Sequence, residues 1–212
     1  AISERGLLTA IDLRGESPSI GESIELPSGS YSAIQSTGEL RRFDLINRNS
    51  DELAGIYEIT LSCNGEISAD IDYHQLRLIQ GFQRVSDNPR QGVIFGGQAL
   101  FDPLDFIDLR WLISDTGRWM QVAELDVYED FIDSINVGLS PQGQWVALVN
   151  GSPFTNEGGQ VRLIEVISSP ISLQERAVFE GYTDVRGAWF LPDGDSMFIT
   201  QFEPNIVQFF TF

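Results

Sequence analysis

Residues 181–212 read GYTDVRGAWFLPDGDSMFITQFEPNIVQFFTF, the clearest secondary-structure pattern in the chain. Apolar runs at 185–191, 196–202 and 206–212 are separated by the turn formers Pro192-Asp193-Gly194 and Glu203-Pro204-Asn205. β-Branched and aromatic residues fill the runs, whereas Pro, Asp, Gly and Asn stand where the chain must reverse. The pattern therefore predicts three antiparallel strands joined by short turns.

The same hairpin layout recurs earlier in the chain, as LSPQGQWVAL at 139–148, ISDTGRWMQV at 113–122 and, more weakly, LSCNGEI at 61–67. Each copy has an apolar residue, turn formers, a glycine able to adopt a positive φ, and then an apolar strand. The glycines stand at 65, 117, 143 and 194, which are spaced by multiples of about 26 residues. Such regular turns predict an up-and-down β meander.

These repeats resemble the blades of WD40 and TolB-type β-propellers. Gly181-Tyr182 stands where those families often carry Gly-His, and the residues FLPDG at 190–194 match their "FSPDG" turn. The strands GELRRFDL at 38–45 and GQVRLIEV at 159–166 resemble the propeller strand written "g.irlwDl". The chain departs from the WD40 pattern in having no Trp-Asp dipeptide and in carrying Tyr182 in place of the histidine.

The resemblance is clearest over residues 133–212, and it implies an all-β fold. We expect repeated four-strand antiparallel meanders, about four or five blades in all. Residues 1–212 would form a single propeller-like domain, or a segment of a larger propeller.

The charge balance restricts the classes of partner. The chain has 31 acidic and 13 basic residues, a net charge of −18, and its basic residues are all arginine. Such an acidic surface repels phosphate backbones, so nucleic acid is not an expected partner. A protein partner with a basic or mixed surface is expected instead. No apolar run approaches the roughly 20 residues of a membrane helix, and residues 1–5 lack a signal-peptide layout, so a signal is either absent or already removed.

Catalytic and zinc motifs are not evident in the sequence. His74 is the single histidine and Cys63 the single cysteine, so a tetrahedral zinc site or a Ser-His-Asp site has few residues to draw on. We therefore predict no catalytic residue, no metal site and no cofactor, with one exception to weigh.

That exception is the density of acidic residues between positions 102 and 133. Asp102, Asp105 and Asp108 are spaced three residues apart, and further carboxylates follow at Glu124, Asp126, Glu129, Asp130 and Asp133. Oxygen ligands of this density suit Ca²⁺, although the spacing is not that of an EF-hand loop. A solvated acidic face is the alternative.

Loops provide the remaining binding candidates. The polar segment SPFTNEGG at 152–159 lies between two predicted strands, and loops on a rigid frame commonly carry binding residues. The residues we select for binding come from the loops around 102–108, 126–133 and 151–159, and they are Asp102, Asp105, Asp130, Asp133, Phe154 and Asn156. The four tryptophans lie on strand runs, where packing between blades explains them and stacking on a sugar is the alternative for any that is exposed.

The sequence thus favours a non-catalytic β-propeller scaffold that binds proteins through its loops. Two alternatives stay open, a structural subunit of a larger assembly and a propeller hydrolase acting on glycan or peptide. Fold alone does not choose among them, because propellers serve all three roles.

Overall fold

The computed structural model describes residues 7–13, 16–26, 31–37, 40–47, 55–62, 66–71, 79–98, 106–115, 118–128, 134–151, 159–182, 184–201 and 206–212. These residues form strands and turns, with no helix among them. The chain divides into two compact units, Ala1–Ile79 and Gln80–Phe212, which we call the first and second units. Each is described by itself.

The first unit contains a two-stranded and a four-stranded sheet. The two-stranded sheet pairs β1 (Leu7–Asp12) with β2 (Ser19–Glu25). The other follows chain order through β3 (Tyr31–Ser36), β4 (Arg42–Asn47), β5 (Gly55–Leu61) and β6 (Ile67–Ile71). A cluster of buried apolar residues joins these elements, and it consists of Leu8, Leu26, Leu45, Tyr57 and Ile59.

The second unit contains three sheets, each built from strands that are consecutive in the chain. The first is β7 (Ile79–Arg84), β8 (Gln91–Gln98), β9 (Phe106–Asp115) and β10 (Arg118–Tyr128). The second is β11 (Ser134–Leu139), β12 (Trp145–Gly151), β13 (Gly159–Ser168) and β14 (Ile171–Tyr182). The third has three strands, β15 (Val185–Phe190), β16 (Ser196–Gln201) and β17 (Ile206–Thr211).

Apolar side chains pack the three sheets of the second unit against each other. One buried cluster includes Trp111 on β9 and Val146, Leu148 on β12, so it joins the first sheet to the second. Another includes Val161 on β13 and Met197 on β16, so it joins the second sheet to the third. The middle sheet is therefore covered on both faces, which explains why β12 reads as a continuous apolar run rather than an alternating one.

The turns before β12 and β16 have the same backbone geometry. In the first, the N–H of Gly143 donates to the Ser140 carbonyl (2.9 Å), and in the second the N–H of Gly194 donates to the Leu191 carbonyl (2.9 Å). Both glycines have a positive φ, 74° and 78°, as the hairpin pattern predicts. Gly65 and Gly117, the other two glycines of the pattern, lie outside the described residues.

Different side chains hold these two turns closed. The Ser140 hydroxyl accepts from the N–H groups of residues 144 (3.0 Å) and 145 (2.9 Å). In the second turn, the Asp193 carboxylate accepts from the N–H groups of residues 195 and 196, both at 3.1 Å. The two N–H groups occupy equivalent positions in the turns 140–145 and 191–196. Ser140, the first residue of one turn, and Asp193, the third residue of the other, therefore accept hydrogen bonds from equivalent donors.

The all-β prediction and the four-strand meanders are confirmed. The sheets of four strands and the last sheet begin at residues 31, 79, 134 and 185, and each of them contains one of the four hairpin repeats recognised in the sequence. The repeats at 139–148 and 190–199 join first and second strands, whereas those at 61–67 and 113–122 join third and fourth strands. A single domain over residues 1–212 stays a prediction. None of the described segments forms a helix with the length and apolarity that a membrane crossing requires.

Candidate functional site

The six residues selected from the sequence for binding all lie outside the described residues. They are Asp102, Asp105, Asp130, Asp133, Phe154 and Asn156. His74 and Cys63 lie outside them too. Their roles stay predictions, and the candidate sites below are built from neighbouring residues that the structure describes.

Three carboxylates meet on the hairpin formed by β9 and β10. Asp108 lies on β9 directly opposite Asp126 of β10, and Glu124 lies opposite Arg110. One oxygen from each of Asp108, Glu124 and Asp126 lies within 4.8 Å of the others. Asp108 is buried, whereas the other two are exposed. These belong to the acidic residues that the sequence suggested as oxygen ligands, and the cross-strand register brings them together.

Arg110 already compensates part of this charge. Its Nε donates to Asp108 Oδ1 at 3.0 Å, its Nη2 contacts Asp108 Oδ2, and its Nε lies 3.5 Å from Glu124 Oε1. Burial raises the pKa of Asp108 and is the largest influence on it, while Arg110 acts in the opposite direction and the two neighbouring carboxylates add to the rise. A cation bound here would face the Arg110 guanidinium as well as three carboxylates. The net charge of the site therefore favours cation binding less than the number of carboxylates suggests.

The last sheet exposes a row of three aromatic side chains, which we call the aromatic row. Trp189 on β15 lies opposite Phe198 on β16, and Phe198 lies opposite Phe209 on β17. The ring centroids are 5.3 Å apart for the first pair, which is stacked, and 5.9 Å apart for the second. Trp189 is 43% exposed and Phe209 is 70% exposed.

The opposite face of this sheet is inside the protein. Met197 and Ile199 alternate with Phe198 along β16 and are fully buried against the middle sheet. On β17, Phe210 packs on Phe179 with ring centroids 4.8 Å apart. Since successive side chains of a strand point to opposite faces, the aromatic row is a second apolar face on a sheet whose first face is already packed.

The sequence did not single out the aromatic row. Two features of the sequence together predict it. Phe198 and Phe209 each stand four residues after the last residue of a turn, Gly194 and Asn205, and the strands that carry them have no charge. Residues 196–201 and 206–212 contain no Asp, Glu, Lys or Arg in a chain that is 21% charged. Depletion of charge with enrichment of Trp and Phe is the composition of a buried interface centre.

No protein-family model matches the chain, and no curated protein matches it by sequence. Among solved structures, the chain is similar to a protein from Lactobacillus plantarum, with a TM-score of 0.66, 14% identity, and coverage of 98% of this chain and 61% of that one. It is also similar to two proteins described as "putative 6-phosphogluconolactonase". The one from Bacteroides uniformis has a TM-score of 0.65 and 11% identity, covering 100% of this chain and 65% of that one. The one from Bacteroides fragilis has a TM-score of 0.50 and 10% identity, covering 99% and 74%.

These solved structures have propeller-type folds, and at identities this low the likeness shows the fold alone. The chain spans less than two thirds of the length of the first two. The fold is therefore all-β and propeller-like, as the sequence predicts.

Proposed function

We propose that the chain is a non-catalytic scaffold of the β-propeller type that binds a protein partner, and that its repeats are of the WD40 or TolB kind. The observation that carries the binding role is the aromatic row of Trp189, Phe198 and Phe209 on the last sheet. The equivalent hydrogen bonds of the turns at 140–145 and 191–196 support the repeat assignment.

The aromatic row has the energetics of a binding surface. Fully burying one large apolar side chain contributes roughly 1.5–3 kcal/mol, and aromatic pairs contribute about 0.5–1.5 kcal/mol beyond their area. Phe209 and Val207 lie on the same face of β17, at 70% and 55% exposure, so most of this gain is still available. The rings of Trp189 and Phe198 are already stacked, which reduces the side-chain entropy lost on binding.

Charge around the aromatic row indicates the partner's surface. Asp193 and Asp195, in the turn between β15 and β16, are both exposed, and the chain carries a net charge of −18. A partner surface with an apolar centre and a basic or mixed rim would complement this arrangement, because opposite charges at the rim steer association. The six loop residues selected from the sequence, Asp102, Asp105, Asp130, Asp133, Phe154 and Asn156, would add contacts on the same scaffold.

One observation favours the second candidate, a structural subunit of a larger assembly. Among the strands that the structure describes, β17 is the edge strand of its sheet, and it carries no charged residue. β10 and β14, the last strands of the neighbouring sheets, carry charged residues such as Glu124 and Arg176, which protect an edge from pairing with other chains. A hydrolase acting on glycan or peptide stays a prediction from the sequence.

Site-specific photo-crosslinking tests the proposal. A benzophenone amino acid is placed at position 209 of the protein in the cells that produce it, and at position 40 as a control. Leu40 is a suitable control because it is 88% exposed and stands apart from the aromatic row in sequence. We expect one discrete crosslinked protein from position 209 and none from position 40. A crosslink to a second copy of this chain would favour the subunit role. The same crosslinks from both positions, or none from 209, would refute both roles for the row.

A further inference from the structure

A cleft in the second unit is distinct from the aromatic row and from the group of Asp108, Glu124 and Asp126, which we call the acidic cluster. Its volume is about 510 Å³, within the range of small-molecule sites. It lies where the turn between β11 and β12 meets the ends of β9 and β13 and the starts of β8 and β14. The polar residues that line it are Gln91, Gln142, Gln144, Glu165 and Ser168, and the aromatic ones are Trp111 and Trp145.

The lining combines groups that recognise hydroxyls. Carboxamides both donate and accept hydrogen bonds, and the Glu165 carboxylate accepts them, so each can pair with a hydroxyl that does both. The indole of Trp145, which is half-buried, offers an apolar face to the C–H bonds between such hydroxyls. Glu165 is the single charged residue of the lining. Arg176, which does not line the cleft, is already paired with this carboxylate, so the lining holds no cation that could pair with a phosphate or carboxylate on the ligand.

The walls of the cleft are fixed by contacts outside it. Glu165 Oε2 accepts from Arg176 Nε at 2.6 Å, which orients the carboxylate. The ring of Trp145 packs on Phe212, with centroids 5.5 Å apart. The N–H of Val166 donates to the Gln144 carbonyl at 2.8 Å, which joins the turn to β13. Groups held in this way lose little conformational freedom when a ligand binds.

Gln144 is the residue most available to a ligand. Its backbone N–H and carbonyl are both used in the turn. Its side chain is exposed and makes no hydrogen bond to another residue that the structure describes. Gln142, beside it, donates from Nε2 to the Pro192 carbonyl at 3.2 Å, which ties its side chain to the neighbouring turn.

We propose that this cleft binds a neutral polyhydroxylated molecule of the size of a mono- or disaccharide. It rejects the phosphorylated form of the same sugar. The binding site is independent of the partner surface proposed above, since no residue belongs to both.

Titration calorimetry and tryptophan fluorescence on the full chain test this site. The probes are glucose, N-acetylglucosamine and maltose, with glucose 6-phosphate as the anionic comparison. We expect saturable binding of at least one neutral sugar, and at least tenfold weaker binding of the phosphorylated one. Because one hydrogen bond to a ligand contributes on the order of 1 kcal/mol, Gln144→Ala should weaken binding roughly fivefold. Glu165→Gln, which keeps the shape of the side chain, should reduce the discrimination against phosphate.

The matched control is Gln121→Ala, since Gln121 is exposed on β10 and does not line the cleft. Its binding should equal that of the unmodified chain. The proposal is overturned if no neutral sugar binds saturably, if glucose 6-phosphate binds as well as glucose, or if Gln144→Ala and Gln121→Ala have the same effect. An unchanged thermal melt of each variant shows that the fold is retained. If the thermal melt of Gln144→Ala is altered, the two charge-related readouts, phosphate discrimination and Glu165→Gln, decide the question.

Discussion

Replacing Gly143 by alanine tests whether this turn is held by backbone conformation or by packing. Gly143, Gly194 and Gly181 all have a positive φ, at 74°, 78° and 82°. They differ in what an added methyl group would meet. At Gly143 it would lie 2.7 Å from Val85 Cγ2, a fully buried side chain, and 3.4 Å from Trp111. At Gly181 it would meet nothing within 4 Å.

These differences give a ranked set of free-energy costs. A left-handed residue other than glycine costs roughly 1–2 kcal/mol, and the lower unfolded-state entropy of alanine offsets about 0.4–1 kcal/mol of it, so Gly181→Ala should cost about 1 kcal/mol. Overpacking a core adds about 1–3 kcal/mol, so Gly143→Ala should cost about 2–4 kcal/mol. Gly194→Ala should fall between them, because the atom it meets is the end of the Gln142 side chain, which can rotate away at the loss of its hydrogen bond to Pro192.

Urea unfolding followed by tryptophan fluorescence measures these costs. The four tryptophans, at positions 111, 119, 145 and 189, all lie in the second unit, so the signal reports on that unit alone. Equal costs for Gly143→Ala and Gly181→Ala would refute this reasoning. They would show that contact with Val85 adds nothing to the free-energy cost of placing alanine at a positive φ.

Three further predictions concern the second unit. Burial raises the pKa of Asp108, so ionising this carboxyl opposes folding; the cost is absent at low pH and fully present once pH exceeds the folded pKa. Asp108→Asn should therefore be more stable than the unmodified chain in urea unfolding at pH 7 but not at pH 3. If Asp108→Asn instead lost stability at pH 7, the pairing of Asp108 with Arg110 would outweigh the cost of burying its carboxylate. Arg110→Ala removes the cation from the acidic cluster, so millimolar CaCl₂ should raise the melting temperature of this variant relative to matched NaCl, while the unmodified chain should respond equally to both salts. An identical response of the two proteins to CaCl₂ would contradict it. Ser140→Ala removes a fully buried hydroxyl and leaves two N–H groups of a part-buried turn without their acceptor, so it should cost about 2 kcal/mol in urea unfolding. Asp193→Ala, in the exposed equivalent turn where water can substitute, should cost less than about 1 kcal/mol, and the reverse order would be inconsistent with the turn geometry.

The hairpins could be read from the sequence because their turns are local. Gly143 and Gly194 each follow a proline by two residues and precede an apolar strand, and that information determines a turn without knowledge of distant contacts. The all-β fold and the four-strand meanders follow from counting such turns. Which strands of a sheet each repeat joins did not follow, because the repeats at 139–148 and 190–199 join first and second strands, whereas those at 61–67 and 113–122 join third and fourth strands.

The acidic cluster shows what a sequence leaves open. The sequence identifies the density of carboxylates, but the meeting of Asp108 with Asp126 requires the register of β9 and β10. That register contains a shift between Gln121 and Ala123, and a one-residue bulge changes which side chains share a face.

The aromatic row was hidden for a related reason. The stretch IVQFFTF at 206–212 is apolar at both alternations, so its pattern does not say which of Phe209 and Phe210 faces outward. Pairing with β16 decides it, by placing Phe209 opposite Phe198 and Phe210 opposite Met197.

The uncharged edge of β17 has a consequence for how copies of the protein behave in solution. Residues 206–212 contain no charge, proline or glycine, and the strand within them, β17 (Ile206–Thr211), can pair with its like, as in cross-β assembly. The charge of −18 opposes this, because two copies repel each other before their edges can meet. That repulsion is long-ranged only in dilute electrolyte, since the screening length falls from about 30 Å at 0.01 M salt to about 3 Å at 1 M. The acidic surface thus acts as a kinetic barrier to strand pairing between copies, and its height is set by the ionic strength of the surroundings.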